Sequence, residues 1–93
     1  KSAPEIKPII IIDNIIKNLN IIPNFITMDI EGSEIEALQG AIETLKNVNK
    51  IVIAAYHYRS DINEKTYNYV NNFLQNNGFT TFVDNEYIVY GWK

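Results

Sequence analysis

The chain has 93 residues, a net charge of −3 and no cysteine, with 46% of its residues hydrophobic and 20% charged. That length bounds it to one domain or part of one, able to bury about 60–65% of the surface an unfolded chain exposes, and the composition fits a globular domain rather than general disorder. Its eight basic residues are scattered and form no stripe for phosphates, which disfavours nucleic acid, while the lack of cysteine excludes a disulfide framework and a thiolate metal site.

The longest apolar run, Pro8 to Ile12, falls far short of the about 20 residues that span a bilayer, so no membrane partner is expected. A reducing cytoplasm is the expected compartment. The chain opens on Lys1 without a basic-apolar-small leader, and it is expected to be an excised piece of a longer protein.

In chain order, residues 8–12 predict a buried strand, four β-branched isoleucines following a proline at the strand start. Asp13 is placed to cap a short helix carrying Ile15, Ile16 and Leu19 and ending near Asn20, before Pro23. Phe25 to Ile30 predicts a second strand, apolar enough to be covered on both faces. Gly32 breaks it, and Ser33 with Glu36 forms a Ser-x-x-Glu capping box for a helix bearing Ile35, Leu38, Ile42 and Leu45 and ending near Asn47.

Ile51 to Tyr58 predicts a third strand. Asp61 and Glu64 repeat the helix-start pattern ahead of Tyr67, Val70 and Leu74, and Gly78 is placed to close that helix in the left-handed conformation. Phe79 to Val83 and Tyr87 to Trp92 then flank Asp84-Asn85-Glu86, a hairpin. Strands alternating with helices predict an α/β fold with a mainly parallel sheet and a terminal antiparallel pair.

Chemistry concentrates where strands end. Asp29 and Glu31 sit at the C-terminal mouth of the second strand, where open α/β sheets bind ligands. Asp29, an acid inside an apolar strand, is the harder one to explain structurally; Glu31 and Glu34 could serve only the electrostatics of the following helix. His57, the sole histidine, ends the third strand beside Tyr56, Tyr58 and Arg59. A histidine can accept a proton near neutrality and a carboxylate can orient it, so Asp29 and His57 are the candidate catalytic pair, with Glu31, Tyr58 and Arg59 the candidate substrate-binding residues. No spaced ligand set supports a metal, Gly32-Ser33-Glu34 is not a nucleophile elbow, and the isolated glycines make no phosphate cradle. The aromatic residues read as core and hairpin packing.

The run Asp29-Ile30-Glu31-Gly32-Ser33-Glu34, followed by Leu38, Gly40-Ala41 and Leu45, resembles the Asp-Val-Glu-Gly-Ala-Glu…Leu-x-Gly-Ala…Leu signature of the FkbM-type S-adenosylmethionine-dependent methyltransferases. Ile12-Asp13-Asn14-Ile15-Ile16 is similar to the segment that precedes this signature, and Ala55-Tyr56-His57-Tyr58 to the family's strand ending in Tyr-His. The resemblance implies the C-terminal half of a Rossmann-like class I methyltransferase sheet and transfer of a methyl group from S-adenosylmethionine to an oxygen of a sugar or related small molecule. It would place Asp29 beside both methyl donor and acceptor, and Glu31 and His57 at the acceptor pocket. Thr27 stands where the family commonly has Lys, and Ala55 where many members have Glu. The glycine-rich first loop is not in this chain, so the chain alone is expected to bind the cofactor poorly. The competing expectation is a non-catalytic half-sheet that forms a homodimer through its exposed edge.

Overall fold

The computed structural model describes residues 12–93. The strand expected over residues 8–12 lies outside them, apart from Ile12, which opens a helix. Helix α1 (Ile12–Leu19) leads to strand β1 (Phe25–Met28), helices α2 (Glu34–Gln39) and α3 (Ile42–Leu45), and strand β2 (Lys50–Ala54). A short hairpin of β3 (Tyr58–Arg59) and β4 (Glu64–Lys65) precedes helix α4 (Tyr67–Asn76), and β5 (Thr80–Val83) and β6 (Ile88–Trp92) close the chain.

Among the described residues four strands form one sheet in the order β1-β2-β6-β5. The β1/β2 pair is parallel, with Phe25 opposite Lys50 and Met28 opposite Ile53, whereas β2/β6 and β5/β6 are antiparallel. The fold is therefore α/β as expected, but among the described residues the sheet is mixed rather than mainly parallel. The expected terminal hairpin is the reason: its second strand returns to the centre of the sheet, against β2, and contributes both antiparallel pairs.

One face of this sheet carries the core. Met28, Ile51, Ile53 and Val89 alternate onto it and pack with Leu38, Leu45, Val70, Leu74 and Phe79 from the helices and their ends. Gly91 sits in the same row, where an added Cβ would stand 2.9 Å from Cγ2 of Ile51 and 3.2 Å from Cδ1 of Leu74. The missing side chain lets α4 and β2 close together over β6. On the opposite face, Phe25, Trp92 and Phe82 are about half exposed, and Val52 and Tyr90 lie between them in the register.

Several local expectations yield to tertiary contacts. The single helix expected up to Asn47 divides at Gly40, a poor helix former. Asp13 lies in the first turn of α1 and caps another helix: its carboxylate accepts hydrogen bonds from the Glu43 N–H at 3.0 Å, the Thr44 N–H at 2.7 Å and the Thr44 hydroxyl at 2.6 Å, at the start of α3. Ser33 precedes α2 but makes no side-chain cap, with φ −90° and ψ 12° in place of an extended N-cap conformation, and Glu36 turns instead to Arg59. The third strand stops at Ala54, and Asp61 and Glu64 belong to the β3/β4 hairpin region while Thr66 directly precedes α4. Gly78 closes α4 at φ 90°, as expected. No helix among the described residues is long and apolar enough to cross a membrane.

Gly91→Ala should lower stability by about 1–3 kcal/mol through overpacking, read as a shift in the urea midpoint at unchanged slope. Burial of the Asp13 carboxyl opposes ionisation, but its bonds from Thr44 and Glu43 prevail and hold it below its ordinary value. Its contribution is complete above the unfolded carboxyl's pKa and is lost as pH falls through the folded one. Asp13→Ala should cost about 1 kcal/mol near neutrality and nothing at strongly acid pH, measured by urea unfolding across pH.

Candidate active site at the strand mouths

Because β1 and β2 run parallel with Met28 opposite Ile53, the segments leaving them emerge at the same end of the sheet. Asp29 follows β1 directly, and Tyr56 and His57 lie just beyond β2. Tyr56 stands beside the candidate catalytic residues. Its ring stacks on that of His57, centroids 4.3 Å apart, and the negative charge of nearby Asp29 raises the phenol above its ordinary pKa, with Glu31 and Glu34 adding to the field. Asp29 and Tyr56 are exposed and His57 is half-buried, with its Nδ1 buried and without a partner among the described residues.

After Asp29 the chain reverses. The Ser33 N–H donates to the Ile30 carbonyl at 3.2 Å, and both central residues take positive φ, Glu31 at 53° and Gly32 at 98°. This is the pattern of a type I′ turn. Glycine accepts it freely, but for Glu31 the left-handed conformation costs on the order of 1 kcal/mol. The turn persists because side chains hold Gly32 from both sides. Its N–H donates to Oε2 of Glu34 at 2.7 Å, and its carbonyl accepts from Nη1 of Arg59 at 2.9 Å.

Arg59 is largely committed. Its guanidinium also reaches Glu36 at 2.7 Å and grips Asp61 through Nε at 3.1 Å and Nη2 at 2.7 Å. These bonds hold Glu36 and Asp61 below their ordinary pKa values and raise that of Arg59, so its charge is matched within the protein. Tyr58 is exposed and its hydroxyl donates to Asn63. Asp29 and Glu31 are also exposed.

Glu34 differs from what helix-end electrostatics alone would require. Its exposure is 0%, and Oε1 accepts the Thr66 hydroxyl at 2.7 Å while Oε2 holds Gly32. The Thr66 N–H in turn donates to the His57 carbonyl at 3.0 Å. Sequence reasoning placed Asp29, Glu31, His57, Tyr58 and Arg59 in one region; the structure sets His57 and Arg59 against Gly32 in the turn that follows Asp29 and contains Glu31, whereas the Tyr58 hydroxyl turns to Asn63 in the β3/β4 hairpin. Sequence reasoning missed Tyr56 as the stacking partner of His57, and Glu34 and Thr66 as connectors. The first was legible in the Tyr-His pair and the second in the acidic run; Thr66 carried no signal.

Asp29 and His57 offer a carboxylate and an imidazole on the segments leaving two neighbouring parallel strands, suited to accepting and orienting a proton. Among the described residues no three metal-ligating side chains gather as a metal site. A shallow depression lined by Asn24, Phe25, Asn49 and Lys50 lies at the other end of β1 and β2, away from these groups.

The family model described as "Methyltransferase FkbM domain" matches residues 4–81. No curated protein and no solved structure matches the chain.

Replacing Glu31 by glycine should relieve its left-handed conformation. Stability is expected to be unchanged or to rise by up to about 1 kcal/mol in urea unfolding, in contrast to the loss expected wherever glycine replaces an unstrained residue.

Proposed function

We propose that this chain, which belongs to the FkbM methyltransferase family, forms the C-terminal lobe of an S-adenosylmethionine-dependent O-methyltransferase whose acceptor is the hydroxyl of a sugar or related small molecule. The observation that carries this reading is the convergence at the strand mouths: Asp29 leaves β1 beside the segment leaving the parallel β2, where Tyr56 stacks on His57.

The donor set fits the reactive end of the cofactor. Exposed carboxylates of Asp29 and Glu31 are the complement of a sulfonium cation, and the nearest guanidinium, Arg59, is already matched by Glu36 and Asp61. Bound S-adenosylmethionine supplies an electrophilic methyl group. On the protein side, Asp29 would accept a hydrogen bond from the acceptor hydroxyl and orient its oxygen, and Asp29 or His57 would take the proton as the oxygen–methyl bond forms and the methyl–sulfur bond breaks. Tyr56 stacks on His57 and steadies its ring. Glu31 and Tyr58 line the acceptor side, while Arg59 serves the same site by pinning the turn. Correct placement supplies much of the acceleration.

The half-exposed aromatic face of the sheet, Phe25, Phe82 and Trp92, suits a lobe covered by a further layer of the enzyme. That layer would also supply the adenosine-binding contacts for which these residues contain no glycine-rich turn. A second reading rests on the position of β1 at the edge of the sheet among the described residues: pairing with another copy through that edge.

In the complete polypeptide, Asp29→Asn and His57→Ala should each reduce methyl transfer by about 10²–10⁴-fold, measured by radiolabelled methyl incorporation into a panel of sugars. Two unimpaired variants would remove both assignments. A dimer that binds no S-adenosylmethionine, by solution mass and calorimetry, would favour the pairing module.

A further inference from the structure

We propose that Glu34 is a positioning residue for the methyl-transfer site, acting through the turn that carries Asp29 and Glu31; this rests on the functional reading above. The geometry is a continuous chain of hydrogen bonds. The Thr66 N–H holds the His57 carbonyl at 3.0 Å, the Thr66 hydroxyl donates to Oε1 of Glu34 at 2.7 Å, and Oε2 of Glu34 accepts from the Gly32 N–H at 2.7 Å. On the far side of Gly32, Arg59 donates to its carbonyl at 2.9 Å. The segment leaving β1 and the segment leaving β2 are thereby fastened to each other through one carboxylate.

A carboxylate with 0% exposure is an expensive way to start a helix. Removing such a group from water opposes folding before its bonds are counted, and well-packed apolar replacements of buried ionic groups are often no less stable. A helix-end charge works at the surface and needs neither bond. What the buried carboxylate provides that an apolar side chain lacks is direction: two acceptor oxygens that fix Gly32 relative to Thr66, and so Asp29 relative to His57. The same grip keeps Glu31 in its left-handed conformation.

Glutamine separates position from charge, since its carbonyl oxygen can still accept from Gly32 while its amide donates to the Thr66 hydroxyl oxygen. In the complete polypeptide, Glu34→Ala should speed hydrogen exchange of the Gly32 amide at least 10-fold and lower kcat at least 10-fold, with the KM for S-adenosylmethionine within about 3-fold of wild type. Glu34→Gln should recover most of both. Thr66→Val, which keeps the side chain's shape and removes one bond, should move both readouts the same way and covers the case in which Glu34→Ala does not fold. Unchanged Gly32 exchange in folded Glu34→Ala, or in Thr66→Val if only that variant folds, overturns the proposal, as does a Gln variant no better than Ala. If the wild type transfers no methyl group, the functional reading falls, while the exchange result still decides whether Glu34 holds the turn.

Discussion

A single buried carboxylate ties the turn after β1 to the segment after β2. Glu34 has no solvent to satisfy it, so its two oxygens must find protein donors, and the donors available are the Gly32 amide and the Thr66 hydroxyl. Satisfying one side chain therefore fixes two chain reversals at once. The acidic turn and the segment after β2 become one unit, and Arg59 closes it from the other side through Gly32, Glu36 and Asp61. A half-satisfied network of this kind would be worse than an apolar core, which is why all its members matter together.

The sheet supplies the platform. Parallel pairing of β1 with β2 brings two outgoing segments to one edge, and insertion of β6 beside β2 fills the centre with Val89 and the side-chain-free Gly91. The helices cover the face bearing Ile51 and Ile53, leaving the mouth above the strands free for polar groups. Tyr56 sits at that mouth with its ring stacked on His57 and its phenol raised above its ordinary pKa by the charge of nearby Asp29.

Much of the fold was legible because it rests on local chemistry. The isoleucine-rich run of β2, the hairpin around Asp84, whose carboxylate accepts from the Glu86 and Ile88 N–H groups, and the left-handed Gly78 all follow from neighbouring residues. Illegible features depend on partners far along the chain. Asp13 caps a helix about thirty residues away, a contact no local pattern encodes. The Ser33 and Glu36 pair has the spacing of a capping box, yet the pull of Arg59 on Glu36 overrides it. The candidate site was legible as a set of residues and not as a network, because burial of Glu34 is decided by Thr66, thirty-two positions on.

The most direct test of the coupling is a double-mutant cycle on methyl-transfer rate with Glu34→Ala and Asp29→Asn in the complete polypeptide. If Glu34 acts by aiming the turn that carries Asp29, its removal should matter little once Asp29 is already neutralised, giving a coupling energy on the order of 1–3 kcal/mol. Strictly additive losses would contradict that account and assign Glu34 an independent role in the stability of α2.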